Sequence, residues 1–134
     1  MLVPQEDLSG CAVACVAAYL GISYKQALQL FDQPKNASFV GFYCPEIVRI
    51  LKKAGVEEVK WRYIKPKIKS KIYQPGTIVF VAQSPKYPTG HYLLRIDDCW
   101  MDPWINFPHI GVVRAGIRKQ LPGRPIYAIF TKKA

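Results

Sequence analysis

The spacing of apolar residues changes along the chain, from a pattern typical of helices to one typical of strands. Residues 10–20 are rich in alanine, valine and cysteine and carry no charge, which predicts a helix buried on all sides. Ser9 or Asp7 is a plausible N-cap for this helix, and Gly21 is placed to end it. The first part of the chain is therefore expected to be organised around one core helix.

Two more helices are predicted in the first half. Ser23 and Gln26 have the spacing of a capping box, which predicts a helix from there to about Phe31. Pro45 stands at the start of a segment with helical apolar spacing, and Gly55 follows it as a stop.

The second half is richer in aromatic and β-branched residues, which favour strands. The predicted strands cover residues 56–64, 78–82, 91–96, 99–103, 112–115 and 126–131, whereas residues 117–121 are basic and are predicted to be irregular. Helices that lead and an antiparallel sheet that follows indicate an α+β fold. At 134 residues the chain is expected to form a single domain over residues 1–134.

The strands over residues 91–96 and 99–103 are separated by Asp97 and Asp98, which predicts a hairpin with a two-residue turn. In that register Leu93 faces Asp102, and Asp102 lies diagonally across from His91 on the same face of the sheet. A slip of one residue would turn Asp102 to the other face. Asp97 and Asp98 are the rival candidates for the partner of the histidine, but both are expected to be solvated turn residues.

The start of the core helix carries candidate chemistry. Cys11 stands where free backbone N–H groups and the helix dipole favour a thiolate. Gln5, six positions earlier, ends in an NH2 group that could donate to a developing oxyanion. A thiol nucleophile also needs a base and a group that orients the base; His91 and Asp102 are the candidates. His109 is a weaker alternative base and is expected to be exposed.

These motifs, in this order, resemble the C39 peptidase branch of the papain-like cysteine proteases. That family's pattern is Gln-x4-Asp-Cys-Gly-x-x-Cys, and here Gly10 and Ala12 replace the aspartate and glycine that flank the cysteine. The resemblance implies a papain-like fold with Cys11 as nucleophile, His91 as base, Asp102 as orienting residue and Gln5 as oxyanion-hole donor. It also implies a peptide or protein substrate, and neither a cofactor nor a metal is expected.

The formal net charge of +10 predicts attraction to an acidic partner, which could be an acidic protein, nucleic acid or an anionic membrane surface. Lysines alternate with other residues over positions 65–71, either as a solvated edge that resists aggregation or as a docking surface. Trp61 and Tyr63 near lysines would also suit nucleic acid, but none of the usual nucleic-acid-binding motifs is present.

The four cysteines are better explained as free thiols in a reducing compartment than as a disulfide framework or a structural zinc site. Residues 8–11 resemble a lipoprotein cleavage box, but an acidic pair rather than an apolar run precedes the cysteine. No apolar stretch is long enough to span a membrane. We therefore expect an unexported, cytoplasmic protein.

The sequence favours a cysteine peptidase or a related thiol amidohydrolase. The same residues would serve a glutamine deamidase. A catalytically silent papain-like module that binds an acidic partner is a further alternative, because the residues flanking Cys11 depart from the family pattern. A narrow cleft would favour peptide cleavage after small residues, and one deep side-chain pocket would favour deamidation.

Overall fold

The computed structural model describes residues 2–38, 40–85, 87–109 and 111–131. The helices are α1 (Cys11–Leu20), α2 (Tyr24–Leu28) and α3 (Cys44–Lys53), and 3₁₀ segments cover Pro34–Ser38 and Pro66–Tyr73. The strands are β1 (Val59–Tyr63), β2 (Ile78–Val81), β3 (His91–Ile96), β4 (Cys99–Asp102), β5 (Gly116–Arg118) and β6 (Pro125–Thr131). The predicted α+β arrangement, with helices first and an antiparallel sheet after them, is confirmed.

The strands form one six-stranded sheet in the order β1-β6-β2-β3-β4-β5, and every neighbouring pair is antiparallel. The chain thus returns at its last described strand to insert β6 between β1 and β2. The two edges of the sheet are β1 and β5. The sheet separates a large core on its helical side from a smaller one, built around Trp100 and Ile72, on the other side.

Helix α1 is the buried core helix that the uncharged stretch predicts. Six consecutive residues, from Ala12 to Ala17, are buried, and the helix packs against β3. Gly21 ends it in the left-handed conformation, with φ of 71°. The predicted N-cap is wrong, because Gly10 occupies that position and no side chain caps the helix.

Helix α2 begins with the predicted capping box between Ser23 and Gln26. It ends at Leu28 and not near Phe31, because the chain there tightens into bonds between residues three apart. This turn directs Phe31 into the core, where its ring lies 4.3 Å from that of Phe42.

The lysine-rich stretch forms a 3₁₀ segment, which the buried side chain of Ile72 anchors. One strand prediction in the second half is wrong. The short strand predicted over residues 112–115 lies instead at Gly116–Arg118, where it pairs with β4. Gly116 permits this pairing, because a Cβ atom there would meet the Ile105 side chain at 2.6 Å.

Candidate active site

The β3–β4 hairpin brings the predicted base and its partner together. Leu94 pairs with Met101 and Ile96 with Cys99, as the two-residue turn predicts. His91 and Asp102 consequently share a face, and the His91 Nε2 atom lies 2.7 Å from the Asp102 Oδ1 atom. Both side chains are buried.

The Asp102 carboxylate accepts four hydrogen bonds. Besides His91, its donors are the Tyr87 hydroxyl at 2.6 Å, the Arg118 Nε at 2.6 Å and the Trp104 backbone N–H at 2.9 Å. Burial alone would raise the pKa of Asp102, but the hydrogen bonds from His91, Tyr87 and Arg118 hold it well below its usual range. The carboxylate is therefore charged and fixed in place.

The His91 ring is held by a stacked ring and by hydrogen bonds at its edge. The Tyr87 ring stacks on the imidazole, with centroids 3.9 Å apart and planes 7° from parallel. Burial would lower the pKa of His91, yet its hydrogen bonds to Asp102 and Cys11 raise the pKa to about 9. His91 is accordingly cationic near neutral pH.

Cys11 is the first residue of α1, and its thiol is hydrogen-bonded to His91 and half-buried. A first-turn N–H has no acceptor within the helix, so the backbone N–H of Cys11 is a potential anion donor. Cys15 lies one turn further along and is fully buried, which raises the pKa of its thiol well above the ordinary value. The two helix thiols thus have opposite environments, and only Cys11 has the setting of a reactive cysteine.

Gln5 lies beside this helix start. Its backbone N–H donates to the Pro103 carbonyl at 3.1 Å, which ties the segment to the exit of β4. Its Nε2 group donates to the carbonyls of Asp7 at 2.9 Å and Leu8 at 3.1 Å, while Oε1 is buried with no partner among the described residues. Both amide hydrogens are thus engaged by backbone carbonyls.

A side chain on Gly10, the residue before Cys11, would have to displace Tyr24. A Cβ atom on Gly10 would lie 2.0 Å from the Tyr24 hydroxyl oxygen. That hydroxyl donates to the Asp7 carboxylate at 2.7 Å, and Ser38 donates to the other oxygen of the same carboxylate at 3.2 Å. The carboxylate near the helix start is therefore supplied by Asp7, from within the preceding loop.

The rival candidates lie away from this cluster. Asp97 and Asp98 are exposed at the hairpin turn, and His109 is exposed, with its backbone carbonyl accepting from the Trp104 indole. All four cysteines are free, and no group of three metal-ligating side chains occurs among the described residues. No helix within the described ranges is long and apolar enough to cross a membrane.

Sequence patterns did not single out Tyr87 and Arg118. Tyr87 belongs to a proline-rich loop, and Arg118 lies in the three-residue strand β5, opposite Trp100. A strand this short has no detectable alternation, so its pairing with β4 carried no local signal. The sequence offers only the presence of an arginine in a basic segment that was predicted to be irregular, and this does not indicate a partner for Arg118.

The cleft at this site is small. It has a volume of about 80 Å³ and includes Cys11, His91 and Gln5 in its wall, together with Phe80 and Gly90. Gly90 has φ of 81°, and a Cβ atom there would meet the Phe80 ring at 2.2 Å. Clefts that hold drug-sized ligands are about 300–1,000 Å³, so this one admits only a narrow group.

Known proteins resemble this chain in structure but not detectably in sequence. Neither a protein-family model nor a curated protein sequence matches the chain. Among solved structures, the chain is similar to the peptidase domain of Streptococcus ComA, a bi-functional ABC transporter involved in a quorum sensing pathway. The TM-score is 0.58 at 22% identity, and the match covers 97% of this chain and 96% of that one. The C39-like, papain-like fold implied by the sequence motifs is thereby confirmed.

Proposed function

We propose that the chain is a cysteine peptidase, or a related thiol amidohydrolase, that cleaves a peptide or amide bond. The observation that carries the proposal is the bonding of one buried imidazole, His91, to both Cys11 and Asp102 at the start of a buried helix. This is the arrangement of nucleophile, base and orienting group that covalent thiol catalysis requires. The fold shared with a peptidase domain supports the same reaction class.

In the proposed reaction, Cys11 and His91 form a thiolate–imidazolium pair. The thiolate attacks the carbonyl carbon of the substrate and forms a C–S bond, while the carbonyl oxygen becomes an oxyanion. His91 then gives its proton to the leaving nitrogen, the C–N bond breaks, and a thioester remains on Cys11. A water molecule gives a proton to His91, attacks the thioester, and releases the acid and the thiolate.

Asp102 keeps the imidazole in one orientation and stabilises its positive charge in this scheme. Tyr87 and Arg118 are positioning residues, because they act through their hydrogen bonds to the Asp102 carboxylate. Their bonds fix the Asp102 oxygens before the substrate arrives. Such preorganisation favours the charged transition state without further rearrangement.

The oxyanion is proposed to bind the backbone N–H of Cys11 and the amide of Gln5. Since both Gln5 amide hydrogens bond to the carbonyls of Asp7 and Leu8, one of these bonds has to be exchanged for the oxyanion. Hydrogen bonds of catalytic groups often align only once the substrate is bound. Substrate binding is therefore proposed to complete this half of the site.

The narrow cleft favours peptide cleavage beside small residues over deamidation of a glutamine side chain. A deamidase would need a pocket that takes a whole glutamine side chain, and the space at Cys11 is only about 80 Å³. Glycine-like residues on either side of the scissile bond would fit between Phe80 and the helix start.

A silent papain-like module is the second candidate, and the engaged amide of Gln5 is the observation that favours it. Labelling with a small alkylating probe such as iodoacetamide at mildly acidic pH, mapped by mass spectrometry, separates the two. Selective modification of Cys11 that is lost in His91→Ala and kept in His109→Ala supports an activated thiolate. Equally slow labelling of all four cysteines, unchanged in His91→Ala, would refute the peptidase and leave the silent module.

A further inference from the structure

A strongly basic groove lies between strand β1 and the 3₁₀ segment Pro66–Tyr73. We call it the basic groove, and its volume is about 910 Å³. Five cationic side chains line it: Lys60, Arg62, Lys65, Lys67 and Lys71. The remaining lining residues are Tyr63, Pro66, Ile68, Gln74 and Phe130. No aspartate or glutamate is among these described residues, so the groove has one sign of charge.

The lining of the groove contains no carboxylate to balance these five cations, although Glu57 and Glu58 line an adjacent hollow together with Lys60. The ion pairs of Asp32 with Arg49 and of Asp102 with His91 and Arg118 involve none of the five. Charges of one sign that converge on a concavity repel one another and attract anions. A bound polyanion would remove that repulsion.

Protection of an edge strand explains only part of this arrangement. Lysine and arginine on an edge strand such as β1 discourage pairing with other chains, which would account for Lys60 and Arg62. Lys67 and Lys71 come from a different element that has no sheet edge to protect, yet they line the same groove. Convergence from two elements points to a ligand.

The spacing of the cations matches an extended polypeptide. Lys60 and Arg62 are two residues apart on one strand, so they point to the same face and are about 7 Å apart. Side chains on one face of an extended peptide have the same repeat. Acidic residues at alternate positions of such a peptide would meet these two cations in register, over a floor that includes Phe130, the partner of Lys60 in β6.

A single-stranded nucleic acid fits less well. Proteins that bind it offer aromatic rings on which successive bases stack. Among the described residues that line the groove, Tyr63 is the exposed ring, at 55%, and it already packs against Tyr127 with centroids 4.9 Å apart. A flat membrane surface would not enter a concave groove.

The basic groove and the cleft at Cys11 lie on opposite sides of the sheet. Phe130, in the wall of the groove, packs with the smaller core, whereas Phe80 and Tyr92, in the wall of the cleft, pack with the core on the helical side. Lys60 and Arg62 pair with Phe130 and Ala128 and therefore share the side of the smaller core. The groove is thus a site separate from the cleft.

We propose that the basic groove binds an extended acidic segment of a partner protein. The groove holds this segment through charge, and the binding does not depend on the proposed peptidase function.

The test is fluorescence anisotropy with the Cys11→Ala form of the whole chain and a fluorescein-labelled peptide of five Glu-Ser repeats. The groove variant is Lys60→Glu with Lys67→Glu. The matched control is Lys25→Glu with Lys35→Glu, two exposed lysines outside the groove, which makes the same change in net charge. We expect the groove variant to weaken binding about tenfold or more and the control about twofold, with affinity falling as salt is raised.

Equal losses in the two double variants would overturn the proposal, because they would reflect net charge alone. A ten-residue oligothymidylate that binds more tightly than the peptide, and loses that binding in the groove variant, would overturn it in favour of nucleic acid. Unaltered thermal unfolding of both variants establishes that folding is not the cause. Because Cys11→Ala cannot turn over, a failure here is distinct from a failure of Cys11 labelling.

Discussion

Asp102 and Gln5 are both buried, Gln5 in the wall of the cleft and Asp102 behind His91, but their hydrogen bonding differs. The Asp102 carboxylate accepts bonds from three side chains and one backbone N–H. The Gln5 amide gives its hydrogens to backbone carbonyls and leaves Oε1 buried without a described partner. The proposed base side of the site thus has its hydrogen bonds in place, whereas the proposed oxyanion side would have to exchange a bond when a substrate binds.

Replacing Asp102 tests the completed side and should have the largest effect. In Asp102→Asn the shape is kept, but the imidazolium loses its counter-charge and its fixed tautomer. We expect peptide hydrolysis to fall by about 10⁴-fold, measured as kcat/KM on a peptide with small residues at the scissile bond.

The matched control for this prediction is Asp98→Asn, at the exposed hairpin turn, which should leave hydrolysis unchanged. A loss of less than tenfold in Asp102→Asn would mean that the carboxylate serves the fold and not the imidazole.

Replacing Gln5 tests the oxyanion side. In Gln5→Ala one proposed oxyanion donor is removed, so hydrolysis should fall by about 10²–10³-fold. Alkylation of Cys11 by iodoacetamide forms no oxyanion and should keep its rate. The measurement is therefore the rate of peptide hydrolysis and the rate of Cys11 alkylation in the same variant. The control is Gln29→Ala, at an exposed glutamine, which should change neither rate. Parallel losses in both rates would assign Gln5 to positioning of the helix start.

The raised pKa of His91 predicts a limit at alkaline pH. Hydrolysis should fall about tenfold per pH unit above pH 9, because neutral His91 cannot protonate the leaving nitrogen. Alkylation of Cys11 by iodoacetamide should not fall in parallel, because it requires no proton transfer to a leaving nitrogen. An NMR titration of the His91 ring gives the pKa directly, and a value near 6.5 would contradict the ion pair.

The same shift affects stability. A histidine whose pKa is higher in the folded than in the unfolded chain stabilises the fold when protonated. This contribution is complete below pH 6.5 and is lost as the pH rises towards 9. The free energy of unfolding, measured with denaturant, should therefore fall more over that pH interval in the wild type than in Asp102→Asn.

Replacing Arg118 tests how much the His91–Asp102 pair depends on the arginine that donates to the Asp102 carboxylate. This replacement should have the smallest effect. In Arg118→Met the Asp102 carboxylate loses one cation, so the pKa of His91 should rise further, and kcat should fall by a few fold. In Arg118→Lys, which keeps the charge, the His91 pKa and kcat should lie between those of the wild type and those of Arg118→Met. Arg114→Met, at an exposed arginine, is the control and should change neither the His91 pKa nor kcat. A His91 pKa that stays constant across this series would remove Arg118 from the positioning network.

The hairpin could be predicted because its signals are local. A two-residue turn at Asp97 and Asp98 and the alternation of the flanking strands set the register, and the register places His91 beside Asp102. The core helix and the α2 capping box were predictable for the same reason.

The contribution of Arg118 could not be predicted in that way. It depends on the pairing of a three-residue strand with β4, across sixteen positions of sequence. The glycine at position 10 was likewise uninformative alone, because its cause is the Tyr24 hydroxyl from the next helix. Contacts between distant elements leave no periodic trace in either segment.

The position of β6 has a consequence for the order in which the molecule assembles. Strand β1 pairs with the sheet through β6, and β6 follows every other described element in sequence. During synthesis, α1 and strands β2 to β5 can associate before β1 has a partner. The basic groove, which needs both β1 and Phe130, would then mature last, after the cleft. Slow, long-range closure of this kind is typical of sheets with non-local pairing.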